Sequence, residues 1–204
     1  MNPDLSMLDD HLSELGVDGY LLEADSEDAD QYYLSGFDAP DPFVTLYDGE
    51  VHLLFARSLE YGRAVRESRA ASVERGSNYD YETHVEESGP HEGWSRTLAA
   101  FLAAYGVESV ATPPEFPLQT ADGLREQGVT VDPDDEGVVT EIRATKTDEE
   151  VEQIRQAQRA NEAAMARAET LFRTATVEDG LLHHEGEPLT SERVKEAIEV
   201  TLLR

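Results

Sequence analysis

Six histidines, 44 carboxylates and no cysteine bound the chemistry open to this chain. The densest set of ligand-type residues is His183-His184-Glu185. It could hold a metal. Adjacent loop residues seldom converge on one ion, however, and no third or fourth ligand stands nearby, so the segment reads as a solvated loop. Asp132-x-Asp134-x-Glu136-Gly137 matches the first half of a calcium loop. Its twelfth position is Arg143, where a bidentate acid is required, so it reads as an acidic linker. His84 and His91 flank Glu86-Glu87 in a long polar stretch. That stretch could line a binding surface, but a plain surface loop is the simpler reading. Trp94, Tyr79 and Tyr81 read as core and loop anchors, His52 as structural, and His11 as solvated on the polar side of the first helix. His-Glu-x-x-His, Gly-x-Ser-x-Gly, a P-loop and Gly-x-Gly-x-x-Gly are all absent. No residue is therefore assigned a catalytic or metal-binding role.

The elements that would position such residues come next. The spacing of Leu5, Leu8, Leu12 and Leu15 predicts a helix over 4–15, stopped by Gly16, before a buried strand over 17–22. A short helix over 28–34 ends at Gly36. Phe43–Tyr47 and Val51–Phe55, joined through Asp48-Gly49, predict a β-hairpin, because Asp-Gly favours the turn that matches strand twist. Ser58 is the expected N-cap of a helix to Glu67, followed by a strand over 71–74. Residues 76–90 read as a polar loop. A helix over 92–105, a strand over 107–111, a helix over 118–127 and a strand over 129–131 complete an α/β domain with a mixed sheet flanked by helices. A long helix is expected over 148–172, with Val151, Ile154, Ala157, Ala164, Met165, Ala168 and Leu171 mainly on one face. Residues 174–188 read as a loop. A last helix starts near Ser191 and is expected to run on through Arg204, so a truncated chain is the expectation.

Composition excludes several classes. The formal charge is −28, and Lys146 and Lys195 are the only lysines. Phosphate would repel such a surface, which argues against a nucleic-acid partner. The charge runs along the whole chain, so it is not an acidic tail. A salt-adapted surface fits best, with carboxylates holding water and cations while salt screens their repulsion. A halophile's cytoplasmic protein is the expectation. No apolar run approaches the roughly 18 residues that span a membrane, and the first residues lack a signal peptide's basic start and apolar core.

Three segments carry a family resemblance. Arg143-Ala-Thr-Lys146-Thr-Asp-Glu-Glu150-Val-Glu-Gln-Ile154-Arg-Gln-Ala157 resembles the start of the first "pita-bread" helix in the creatinase/prolidase/Xaa-Pro aminopeptidase family, here in a haloarchaeal-like version. Gly16-Val-Asp-Gly-Tyr-Leu-Leu22, followed by Tyr33-Leu-Ser-Gly-Phe37, is similar to that family's N-terminal domain, with Ser35 in place of the usual Thr. Leu189-Thr-Ser-Glu192 leading to Ala197-Ile-Glu199 resembles the second pita-bread helix, although the 180–188 insertion departs from the common spacing.

The resemblance implies an N-terminal domain over 1–133, a linker over 134–147, and the first two helices of a truncated pita-bread domain over 148–204. Arg143, Lys146, Glu150, Ile154 and Ala157 are expected to mark and orient the junction, not to act on substrate. The family's catalytic domain holds two divalent metals, commonly manganese, cobalt or zinc. Two Asp, one His and two Glu bind them, and a bridging water attacks the bond before proline. In the family all those ligands lie further along the chain, so none is carried onto this sequence. The implied roles are oligomer contacts and shaping of the substrate entrance for proline-containing peptides, with no activity alone. The alternative is a stand-alone binding or assembly module. A doubly wound small-molecule enzyme is a weaker third reading, because no phosphate-binding glycine turn follows the first strand.

Overall fold

The computed structural model describes residues 3–57 and 59–203 and divides between Thr145 and Lys146 into two compact units. In the first, α1 (Ser6–Leu15) turns Leu8, His11 and Leu12 inward and stops at Gly16. The φ of +69° at Gly16 is left-handed, which costs a residue without Cβ little. β1 (Gly19–Ala24) leads to α2 (Ala29–Ser35), where the Asp28 side chain accepts from the Asp30 and Gln31 N–H groups. β2 (Phe43–Tyr47) and β3 (Val51–Phe55) form the hairpin with the bounds that the sequence predicts. α3 (Tyr61–Glu67) and β4 (Ser72–Arg75) follow. Ser58, the expected cap of α3, lies outside the described residues.

The stretch 76–90 is not the expected loop. It forms a 3-10 turn (Gly76–Tyr79) and α4 (Tyr81–Ser88), which leads into α5 (Pro90–Ala104). α4 buries no residue, so no apolar stripe announces it. Close packing on α5 holds it instead. A Cβ on Gly93 would meet the Val85 backbone nitrogen at 2.6 Å, and His84 Nδ1 lies 3.2 Å from the Thr97 hydroxyl. β5 (Ser109–Thr112), α6 (Leu118–Glu126), β6 (Thr130–Pro133) and α7 (Val138–Ala144) complete the unit.

The sheet order is β4-β3-β2-β1-β5-β6, and only β2 runs antiparallel to its neighbours. One face packs Leu21, Val44, Leu46 and Leu54 against α5 and α6 through Leu98, Phe101, Leu102 and Leu124. The other packs Tyr20, Leu22 and Tyr47 against Leu8 and Leu12 of α1, Leu34 of α2, and Val138, Val139 and Ile142 of α7. β1 is covered on both sides, which is why Tyr20-Leu-Leu22 reads as an unbroken apolar run. Part of the segment expected as a linker, 134–147, is therefore a helix with three residues in the core.

In the second unit α8 (Asp148–Thr174) is followed by β7 (Thr176–Glu178), β8 (Leu181–His184), β9 (Glu187–Pro188) and α9 (Ser191–Leu202). The expected loop over 174–188 is thus a three-stranded antiparallel sheet. Its turns are Asp179-Gly180, with φ +49° and +79°, and Glu185-Gly186, with φ +54° and +81°. Two successive left-handed residues match the twist of a tight hairpin, and glycine in the second place removes half the steric cost. Ala164, Ala168 and Leu171 are buried on α8, whereas Ile154 and Met165 stay 47% and 58% exposed. The apolar face read along α8 is covered only in its later turns. α9 stops at Leu202, short of the expected run through Arg204, which lies outside the described residues. Among the described residues no helix is long and apolar enough to cross a membrane.

Candidate functional site: the junction segment

Asp134 organises the start of the junction. Its Oδ1 lies 3.2 Å from His11 Nε2 and accepts from the Glu136 and Gly137 N–H groups at 3.0 and 3.1 Å. Its Oδ2 accepts from the Tyr20 hydroxyl at 3.2 Å and from the Val138 N–H at 3.1 Å. The residue is only 1% exposed. A carboxylate at a helix N-terminus satisfies amides that lack intrahelical partners and meets the positive end of the dipole. Burial, reinforced by the Asp134 charge, pushes the Tyr20 phenol far above its usual range, so it stays a donor.

Two expectations are corrected here. His11 is not solvated. It is buried between Asp134 and Glu136, because α7 packs over the side of α1 that looks polar in sequence. The stretch 132–137 is not simply an acidic linker either. Both oxygens of Asp134 are engaged inside the protein.

α7 is then tied to α2. Thr140 donates to Asp30 at 3.1 Å, and the Arg143 guanidinium pairs with the same carboxylate at 2.5 Å. Arg143, the twelfth position of the would-be calcium loop, is thus a cation anchoring a helix. Lys146 is exposed between α7 and α8. Glu150 closes a capping box with Thr147. Its carboxylate accepts from the Thr147 N–H at 2.8 Å, while the Thr147 hydroxyl accepts from the Glu150 N–H at 3.3 Å. Ile154 and Ala157 lie exposed on α8.

The other candidates are distributed, not convergent. His52 is buried between Asp48 at 3.0 Å and Ser72 at 2.9 Å. Tyr79 packs edge-on against Phe101, and burial pushes its phenol up to about 12. Trp94 donates its indole N–H to Glu23 at 2.8 Å and meets the Tyr81 ring at 88°. Burial pushes the Glu23 carboxyl above its usual range, against bonds from Thr120 and Trp94 that pull it down. His91 is exposed on α5, away from His84's bond to Thr97. His184 meets Thr174 at 3.2 Å and Glu185 at 3.9 Å. Among the described residues no three His, Asp or Glu side chains are grouped as metal ligands.

The sequence reading missed three of these residues. Thr147 carried a signal, since Thr-x-x-Glu before a helical run is a capping box. Asp134 carried a weaker one, an acid just ahead of the apolar set Val138, Val139 and Ile142. Glu23 carried none beyond an acid ending an apolar strand. Chemically, the arrangement orients helices and keeps donors paired.

Residues 5–157 match the family model described as the Creatinase/Prolidase N-terminal domain. No curated protein sequence matches the chain. Among solved structures, the prolidase from Pyrococcus horikoshii OT3 is similar with a TM-score of 0.62 at 16% identity, over 98% of this chain and 48% of that one. The prolidase from Pyrococcus furiosus gives 0.59 at 18% identity, over 97% and 53%. The X-Pro aminopeptidase from Thermotoga maritima MSB8 gives 0.62 at 18% identity, over 95% and 48%. At these identities the likeness is one of fold, and the chain spans about half the length of each.

Proposed function

The chain belongs to the creatinase/prolidase N-terminal domain family, and from that premise we propose that it is the N-terminal portion of a metal-dependent Xaa-Pro peptidase, either an aminopeptidase or a dipeptidase. The observation that carries this reading is the family match across 5–157, which reaches through the junction segment to Ala157. Similarity in fold to prolidases and an X-Pro aminopeptidase over almost the whole chain supports it.

In this reading the 204 residues support catalysis without performing it. The two-metal centre that the family implies finds no fit here, because no three ligand side chains are grouped among the described residues. No step is therefore assigned to this chain. Its roles are to shape the entrance for proline-containing peptides and to contribute to self-association, in the cytoplasm of a salt-adapted cell.

The test compares two proteins. The 204-residue chain, supplied with Mn²⁺, Co²⁺ or Zn²⁺ and a Xaa-Pro dipeptide, is expected to show background rates. The product of the whole reading frame is expected to hydrolyse the same dipeptide. Turnover by the 204-residue chain would overturn its inertness. A stop codon directly after Arg204 would favour a stand-alone binding or assembly module. Sedimentation of the chain in multimolar KCl checks self-association, and a monomer at all concentrations would refute that part.

A further inference from the structure

We draw no further inference here: the strongest candidate, the exposed apolar side chains Val177, Leu181 and Leu182 on the β7–β8 hairpin of the second unit, carries nothing because nothing in the structure shows what covers them.

Discussion

Asp134 and His11 meet at 3.2 Å although 123 positions separate them in sequence. The contact joins the first helix of the domain to the segment that leads into its last, and both residues are buried. The same carboxylate serves Tyr20 and three backbone amides. Removing it would strand the buried Tyr20 hydroxyl and Val138 N–H away from water and leave the part-buried Glu136 and Gly137 N–H groups without this acceptor. Asp134→Ala is therefore expected to destabilise the first unit by about 3 kcal/mol, since orphaned buried donors keep their desolvation cost. Asp134→Asn should cost less, because its oxygen still accepts. Chemical denaturation in high salt measures both, and hydrogen exchange should show α7 losing protection first. An alanine variant within about 1 kcal/mol of the parent would rule out this role.

Glu23 predicts a pH dependence with a definite sign. Burial raises its folded-state pKa above the unfolded value. The folded chain therefore holds this proton more tightly. The associated stability is full below the ordinary glutamate range, about pH 4.3, and is lost as pH rises through the raised value. Glu23→Gln cannot titrate and should flatten that slope. At neutral pH it should be no less stable than the parent. Trp94 is the only tryptophan, so its fluorescence reports the Glu23 contact directly. An identical fluorescence-pH profile in Glu23→Gln would contradict the assignment.

Asp18 predicts the opposite sign. Bonds from the Ser109 hydroxyl and the Glu108 N–H hold its carboxyl below the usual aspartate range. Its contribution is present above about pH 3.9 and is lost as pH falls through the depressed value. Asp18 clamps the approach to β1 onto the start of β5, but it is exposed. Asp18→Asn should cost on the order of 1 kcal/mol or less at pH 7. The difference from the parent should shrink in acid. A constant difference from pH 7 to pH 3 would argue against it.

The capping box predicts a local effect. Thr147→Ala and Glu150→Ala should each weaken the first turn of α8 by about 1 kcal/mol. The double variant should cost less than the sum, because both remove parts of one reciprocal pair. Amide exchange in 148–152 is the readout, with the later turns around Ala164 unchanged. Strict additivity would mean that the two residues act separately.

A charge of −28 predicts salt dependence. Self-repulsion is weakly screened at low ionic strength, where the Debye length reaches about 30 Å at 0.01 M. The melting temperature should rise steadily from dilute buffer to multimolar KCl. Equal melting temperatures across that range would exclude a salt-adapted surface.

Much of the first unit was legible because its signals are short-range. The Phe43–Phe55 hairpin follows from two short apolar runs joined through Asp48-Gly49, and α1 and α2 end at left-handed glycines. The differences within the first unit share one cause. α4 has no apolar stripe of its own and depends on Gly93 admitting it against α5. His11 looks polar on a helical wheel, because the helix that buries it lies at the far end of the domain. The sheet of the second unit is different, because turn residues announce it in the sequence. Asp179-Gly180 repeats the Asp-Gly signal of Asp48-Gly49 and Glu185-Gly186 is close to it, although both residues of each later turn are left-handed and only Gly49 is in the first.

By itself, then, the sequence determined the alternation of helices and strands, the junction motif with its family, and the acidic surface. These depend on spacing, turn residues and composition, which act within a few positions or over the whole chain at once. The tertiary structure alone decided the strand order, the burial of His11 and the gathering of donors on Asp134. Those contacts span about 90 to 120 residues, and nothing local selects them. They form because burying the apolar face of α7 brings a carboxylate inside, where each of its lone pairs must find a donor.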